Sequence, residues 1–113
     1  MLKHLLKTFM PTIRNLPPVT KTTRKILYET KDISIVSFQW KKGYLLHEHD
    51  HHGQCLYQVL DGKLIETRGN RYAGLLTPNN LKMANKGVKH AIMALEDSIS
   101  IHVYSPPPPR KSD

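Results

Sequence analysis

Cys55-Leu56-Tyr57-Gln58-Val59-Leu60-Asp61-Gly62-Lys63-Leu64-Ile65-Glu66-Thr67-Arg68 is the stretch that decides the fold. Cys55, Tyr57 and Val59 alternate with Leu56, Gln58 and Leu60, a period of two that marks a strand because successive side chains leave opposite faces. Asp61-Gly62 is a hairpin signal, since a type I′ turn needs positive φ at both central residues. Lys63 to Arg68 is then the expected partner strand, closed by Gly69-Asn70.

The same period extends in both directions. Upstream, Thr22, Arg24, Ile26 and Tyr28 fall on one face, Val36, Phe38 and Trp40 on one face of the next strand, and Leu45, His47 and His49 on a third after a turn at Lys42-Gly43. Downstream, short strands fit Tyr72–Leu76, Leu81–Ala84, Val88–Ala94 and Ser98–Tyr104. Strands of this length, with no long helical segment among them, predict an all-β sandwich or barrel. The final strand sets Ser98, Ser100, His102 and Tyr104 against Ile99, Ile101 and Val103. If the apolar side packs, the polar side meets water or lines a functional cavity.

A chain of 113 residues supports one core. We divide it into a basic N-terminal segment with a proline-rich linker (1–20), a barrel (21–105) and a proline-rich basic tail (106–113). No apolar run approaches the roughly 20 residues needed to span a bilayer. The single Cys55 excludes an internal disulfide, so nothing demands an oxidising compartment and a cytoplasmic location is expected. Residues 1–10 repeat Leu2, Leu5, Leu6 and Phe9 at helical spacing and carry no acid. That pattern suits either a short amphipathic helix on the barrel or a targeting presequence to an organelle. The net charge of +8 is concentrated at the ends. Without interleaved aromatics it reads as solvated tails, and no nucleic-acid partner is expected.

His47 and His49 stand at i and i+2 on a strand, so both imidazoles leave the same face about 7 Å apart and can lean onto one ion. His90, on the Val88/His90/Ile92 face of its strand, is the best third ligand. His51 and His52 lie in the loop before Cys55 with no fixed face, and His4 lies in the N-terminal segment. Glu48 points away from the pair and Glu66 is a hairpin distant, which favours a three-histidine set. Neutral imidazoles without a carboxylate suit zinc or ferrous iron.

These residues carry a resemblance. Gly43-Tyr44-Leu45-Leu46-His47-Glu48-His49, then Cys55 and Gly62, then Gly87-x-x-His90, resemble the two motifs of cupins. More narrowly, the chain resembles thiol dioxygenases of the cysteine dioxygenase type. The place that holds a glutamate in most cupins holds Cys55 here. Ser100-x-His102-x-Tyr104-Ser105-Pro106-Pro107 resembles that family's Ser-His-Tyr relay, and Thr23-Arg24 the segment whose arginine grips the substrate. The similarity runs from about Thr22 to Pro107.

The resemblance implies a small cupin barrel, a double-stranded β-helix or jelly roll. It implies Fe(II) held by His47, His49 and His90, with L-cysteine (or a close carboxylate-bearing thiol) and O2 converted to the sulfinic acid. Arg24 would bind the substrate carboxylate. Tyr104, oriented by His102 and Ser100, would stand near the iron, close to Cys55 and in some molecules joined to it by a thioether. The chain departs from that family in its reduced N-terminal portion, in a loop of five residues between His49 and Cys55, and in ending soon after Ser105-Pro106-Pro107. The other reading of the same pattern is a non-catalytic or degenerate metal-binding cupin.

Overall fold

The structure is a computed structural model and describes residues 21–108. The expected N-terminal segment and the last residues of the tail lie outside the described residues. Nine strands follow one another: β1 (Thr23–Glu29), β2 (Ser34–Trp40), β3 (Leu45–His49), β4 (Gln54–Asp61), β5 (Leu64–Arg68), β6 (Arg71–Leu76), β7 (Leu81–Ala84), β8 (His90–Ala94) and β9 (Ser98–Ser105). They form a five-stranded sheet in the order β1-β2-β9-β4-β7 and a four-stranded sheet in the order β3-β8-β5-β6. All pairings are antiparallel. Among the described residues there is no helix long and apolar enough to cross a membrane.

The alternation seen in the sequence is what closes the two sheets on each other. Val36, Phe38 and Trp40 from β2, Tyr57 and Val59 from β4, and Ile92 and Ala94 from β8 share one core between the sheets. Each strand presents its apolar parity inward, which is how a two-sheet core is filled. β9 departs from the expected pattern because it lies in the middle of its sheet and is buried on both faces. Ser100, His102 and Tyr104 are all buried, while Ile101 and Val103 pack with Ile35 in a second apolar cluster on the sheet's other side. Of the two destinations open to the polar face, solvent is the one the fold does not use.

Two local expectations are corrected. Asp61-Gly62 does not close a hairpin: β4 and β5 belong to different sheets, and the chain crosses between them there. Gly62, at φ 93°, passes so close to β9 that a Cβ would run into Ser98 and the Asp97 carbonyl. The two-residue turn with positive φ at both positions is Gly69-Asn70, which joins β5 to β6 (φ 57° and 64°). On β1, a bulge between Ile26 and Tyr28 breaks the predicted face, so Tyr28 pairs with Ile35 while Ile26 pairs with Val36.

Gly62 therefore carries both a left-handed backbone and a steric constraint. Gly62→Ala should lower stability by about 1–3 kcal/mol, read as a lower urea midpoint with an unchanged m-value. An unchanged midpoint would show that the crossover tolerates a Cβ.

Candidate metal centre

Three imidazoles converge at one end of the barrel. His90 Nε2 stands 3.1 Å from His49 Nε2 and 2.9 Å from His51 Nε2. A ligand atom from each of the three rings lies within 4.8 Å of the others. His90 comes from the start of β8, His49 from the end of β3, and the two are cross-strand partners. His51 comes from the loop that follows.

The tautomers of two of these rings are fixed by their other nitrogens. His49 Nδ1 lies 2.9 Å from the His47 carbonyl, which can only accept, so Nδ1 carries the proton. His90 Nδ1 lies 2.7 Å from Glu66 Oε2, and an ionised carboxylate likewise only accepts. Both Nε2 atoms therefore aim bare lone pairs at one another across 3.1 Å. Such a contact is repulsive unless a cation lies between. Two nitrogens each about 2.1 Å from one ion, at a right angle, would stand about 3 Å apart. The donor set thus fits a divalent transition metal. Burial favours the neutral form of two of the rings: it lowers His49 below the usual imidazole value and, with the neighbouring His90, lowers His51 to about 4.

His47, expected as a ligand, is not in this cluster. A bulge in β3 between Leu46 and His49 inserts an extra residue against β8, and the parity of the strand changes across it. His47 is left exposed, contributing its carbonyl in place of its ring. The sequence contains two overlapping His-x-His pairs that share His49, and the geometry uses the second, His49-x-His51. Nothing in the periodicity distinguishes them. The loop of His51, read as having no fixed face, is in fact clamped. Gly87 N–H donates to the His51 carbonyl at 3.3 Å, and Gly53 lies against Ser105 and Pro106 with no room for a Cβ.

The remaining predicted residues fall around this cluster. Cys55 and Tyr104 are directly opposed on β4 and β9, and both side chains enter the core. Burial raises the Cys55 thiol to about 12, and raises the Tyr104 phenol as well, against an opposing pull from the Arg24 guanidinium. Next on β9, Ser100 Oγ accepts from Trp40 Nε1 at 2.7 Å and hydrogen-bonds His102 Nε2 at 2.8 Å. This pins the His102 ring, whose burial lowers it to about 3. Arg24 lies over the Phe38 ring at 6.0 Å, within cation–π range.

A cavity of about 420 Å³ joins these parts, lined by Arg24, Phe38, Tyr44, His49, His51 and Tyr104. A second, of about 390 Å³, lies on the other side of His51 and Tyr104 against Pro106 and Pro108. Pro108 borders both.

Residues beyond the expected set also belong here. Glu66 is fully buried on β5, hydrogen-bonds His90 and Tyr57 through Oε2, and faces Arg68 as an ion pair at 3.5 Å. Its parity was legible: Leu64 and Glu66 share the inward face of a strand. A carboxylate on an apolar parity is the signal that could have found it.

No family model and no curated protein matches the chain. Solved structures do. A cupin superfamily protein from Desulfitobacterium hafniense DCB-2 superposes with a TM-score of 0.72 at 19% identity, over 80% of this chain and 82% of that one. An RmlC-like cupin from Desulfovibrio desulfuricans gives 0.71 at 22% identity, over 82% and 94%. The fold is the cupin fold. KdgF from Halomonas sp. is similar too, with a TM-score of 0.70 and 24% identity over 81% of this chain and 86% of that one. At these identities the likeness concerns architecture. The cupin barrel here carries a three-histidine cluster able to hold a metal ion.

Two outcomes test this description. His51→Ala should abolish stoichiometric binding of Co(II) or Fe(II), while His47→Ala should leave the dissociation constant within about threefold, as for an exposed side chain away from the cluster; titration calorimetry under anaerobic conditions reads both. The second concerns His102, which is neutral in the fold far below its unfolded value. The unfolded chain binds the extra proton between about pH 6.5 and 3, so stability is lost as pH falls through that window. His102→Phe in metal-free protein should reduce the slope there by up to about 1.4 kcal/mol per pH unit, measured by urea unfolding at stepped pH. An identical slope would show that His102 already protonates in the native state.

Proposed function

We propose that this cupin is an Fe(II)-dependent thiol dioxygenase that converts L-cysteine, or a close carboxylate-bearing thiol, and O2 into the sulfinic acid. The observation that carries the reading is one cavity bordered by the imidazole cluster, by the Tyr104 phenol and by the Arg24 guanidinium. Ferrous iron bound by His49, His51 and His90 would supply the chemistry that adds both atoms of O2 to the thiol sulfur, one rung of the thiol oxidation ladder.

The chain's own residues do the rest. Arg24 presents a planar, permanently charged donor that fixes a carboxylate in orientation as well as charge. Phe38 beneath it supports the guanidinium. Trp40 and Ser100 hold His102, whose ring stacks near Tyr104 at 6.2 Å between centroids. Tyr104 stays protonated because burial disfavours its anion, so its hydroxyl is a donor toward the cavity. Cys55 is the register partner of Tyr104, which supports a thioether between its sulfur and the phenol ring. That bond forms with loss of one S–H and one ring C–H, the two electrons passing to O2.

Iron-loaded protein should consume O2 with L-cysteine or 3-mercaptopropionate and yield the sulfinic acid. Arg24→Ala should raise the KM for cysteine at least tenfold more than that for cysteamine, since a lost charge-assisted contact costs about 1.5–3 kcal/mol. Equal effects on both thiols would remove Arg24 from the carboxylate site. Stoichiometric iron with no O2 uptake for any of the three thiols would return the chain to a non-catalytic metal-binding cupin.

A further inference from the structure

Glu66 is ionised chemistry in an apolar place. It lies at 0% exposure on the inward face of β5, beside Leu64. His90 and Tyr57 both reach its Oε2, and Arg68 stands on its Oε1 side. Desolvating a charge costs several kcal/mol, so a buried carboxylate persists only where its partners compensate it.

Those partners form a chain that runs from the interior to the surface. Glu66 Oε2 accepts from His90 Nδ1 at 2.7 Å and from the Tyr57 hydroxyl. Arg68, two residues along β5 and partly exposed, faces Glu66 Oε1 at 3.5 Å. It also donates to the Tyr57 hydroxyl at 3.1 Å and to the Met83 carbonyl at 2.8 Å. Tyr57 belongs to β4 and Met83 to β7, both in the five-stranded sheet, whereas Glu66 and Arg68 belong to the four-stranded one. The network ties the two sheets together directly behind His90.

From this arrangement we infer that Glu66, held by Tyr57 and Arg68, is the positioning residue of the metal centre, fixing the His90 tautomer and raising the basicity of its Nε2. It acts through His90 and touches neither substrate nor metal. A ring nitrogen facing a carboxylate keeps its proton there and offers the opposite lone pair, and losing such an outer partner weakens metal binding by about 10- to 100-fold. Tyr57 and Arg68 have a separate duty: they keep the carboxylate aimed at His90. The inference rests on the metal-centre half of the functional reading and is independent of which reaction follows.

The test uses the whole chain and Co(II) or Zn(II) alone. Glu66→Gln preserves an acceptor for His90 and removes the charge. It should weaken Co(II) binding about 10- to 100-fold, and urea unfolding of the metal-free protein separates that loss from any change in global stability. In Zn(II)-loaded protein with 15N-labelled histidine, the downfield His90 Nδ1–H resonance should move upfield in Glu66→Gln. Tyr57→Phe, which removes one donor and little volume, should show a smaller loss of affinity in the same direction and carries the test if Glu66→Gln does not fold. Wild-type affinity in both variants, or an unmoved His90 resonance, would overturn the inference. Weakened metal binding in the variants of a wild type that oxidises no thiol would leave it standing and overturn the dioxygenase reading alone.

Discussion

Two bare imidazole lone pairs facing each other across 3.1 Å are the constraint around which this barrel is arranged. No isolated pair of rings would adopt that contact, since each repels the other. The fold imposes it by satisfying the opposite nitrogen of each ring with a group that can only accept, the His47 carbonyl for His49 and Glu66 for His90. Each acceptor is held in turn by the sheets. The carbonyl sits on a bulge next to β8, and the carboxylate is braced between the sheets by Tyr57 and Arg68. Repulsion at the centre is thus maintained by attraction around it, which is how a protein preorganises a cation site at the expense of local stability.

Around that centre the barrel separates two kinds of surface with one strand. β9 buries Ile101 and Val103 on one side, and Ser100, His102 and Tyr104 on the other. Both faces of this interior strand are buried. The polar residues survive there because they satisfy one another, with Trp40 donating to Ser100 and Ser100 hydrogen-bonded to His102. Rigid polar groups beneath a cavity are what a site needs if its hydroxyl is to keep one orientation.

Much of this architecture was legible from parity. Period-two patterning located the strands to within a residue or two and grouped Cys55 with Tyr57, and His90 with Ile92, on faces that the fold turns inward. What parity could not reveal is where it breaks. The bulge in β3 exchanges His47 for His51, and a bulge arises from pairing with another strand, which the local sequence does not specify. The Asp61-Gly62 turn misled for a related reason. A glycine needed for close passage against Ser98 reads the same as a glycine needed for a hairpin. Glu66 went unassigned because its partners come from β4 and β8, remote in sequence and adjacent only after folding.

The seating of Gly53 against Ser105 and Pro106 has a consequence for how the molecule is made. His51 is encoded near the middle of the chain, but the shelf on which its loop rests is supplied by the very end of β9. During synthesis, a nascent polypeptide that has emerged only as far as β8 already owns all three imidazoles and still lacks the shelf that fixes one of them. The ion-binding trio therefore leans on a contact with the last strand as well as on its own three residues.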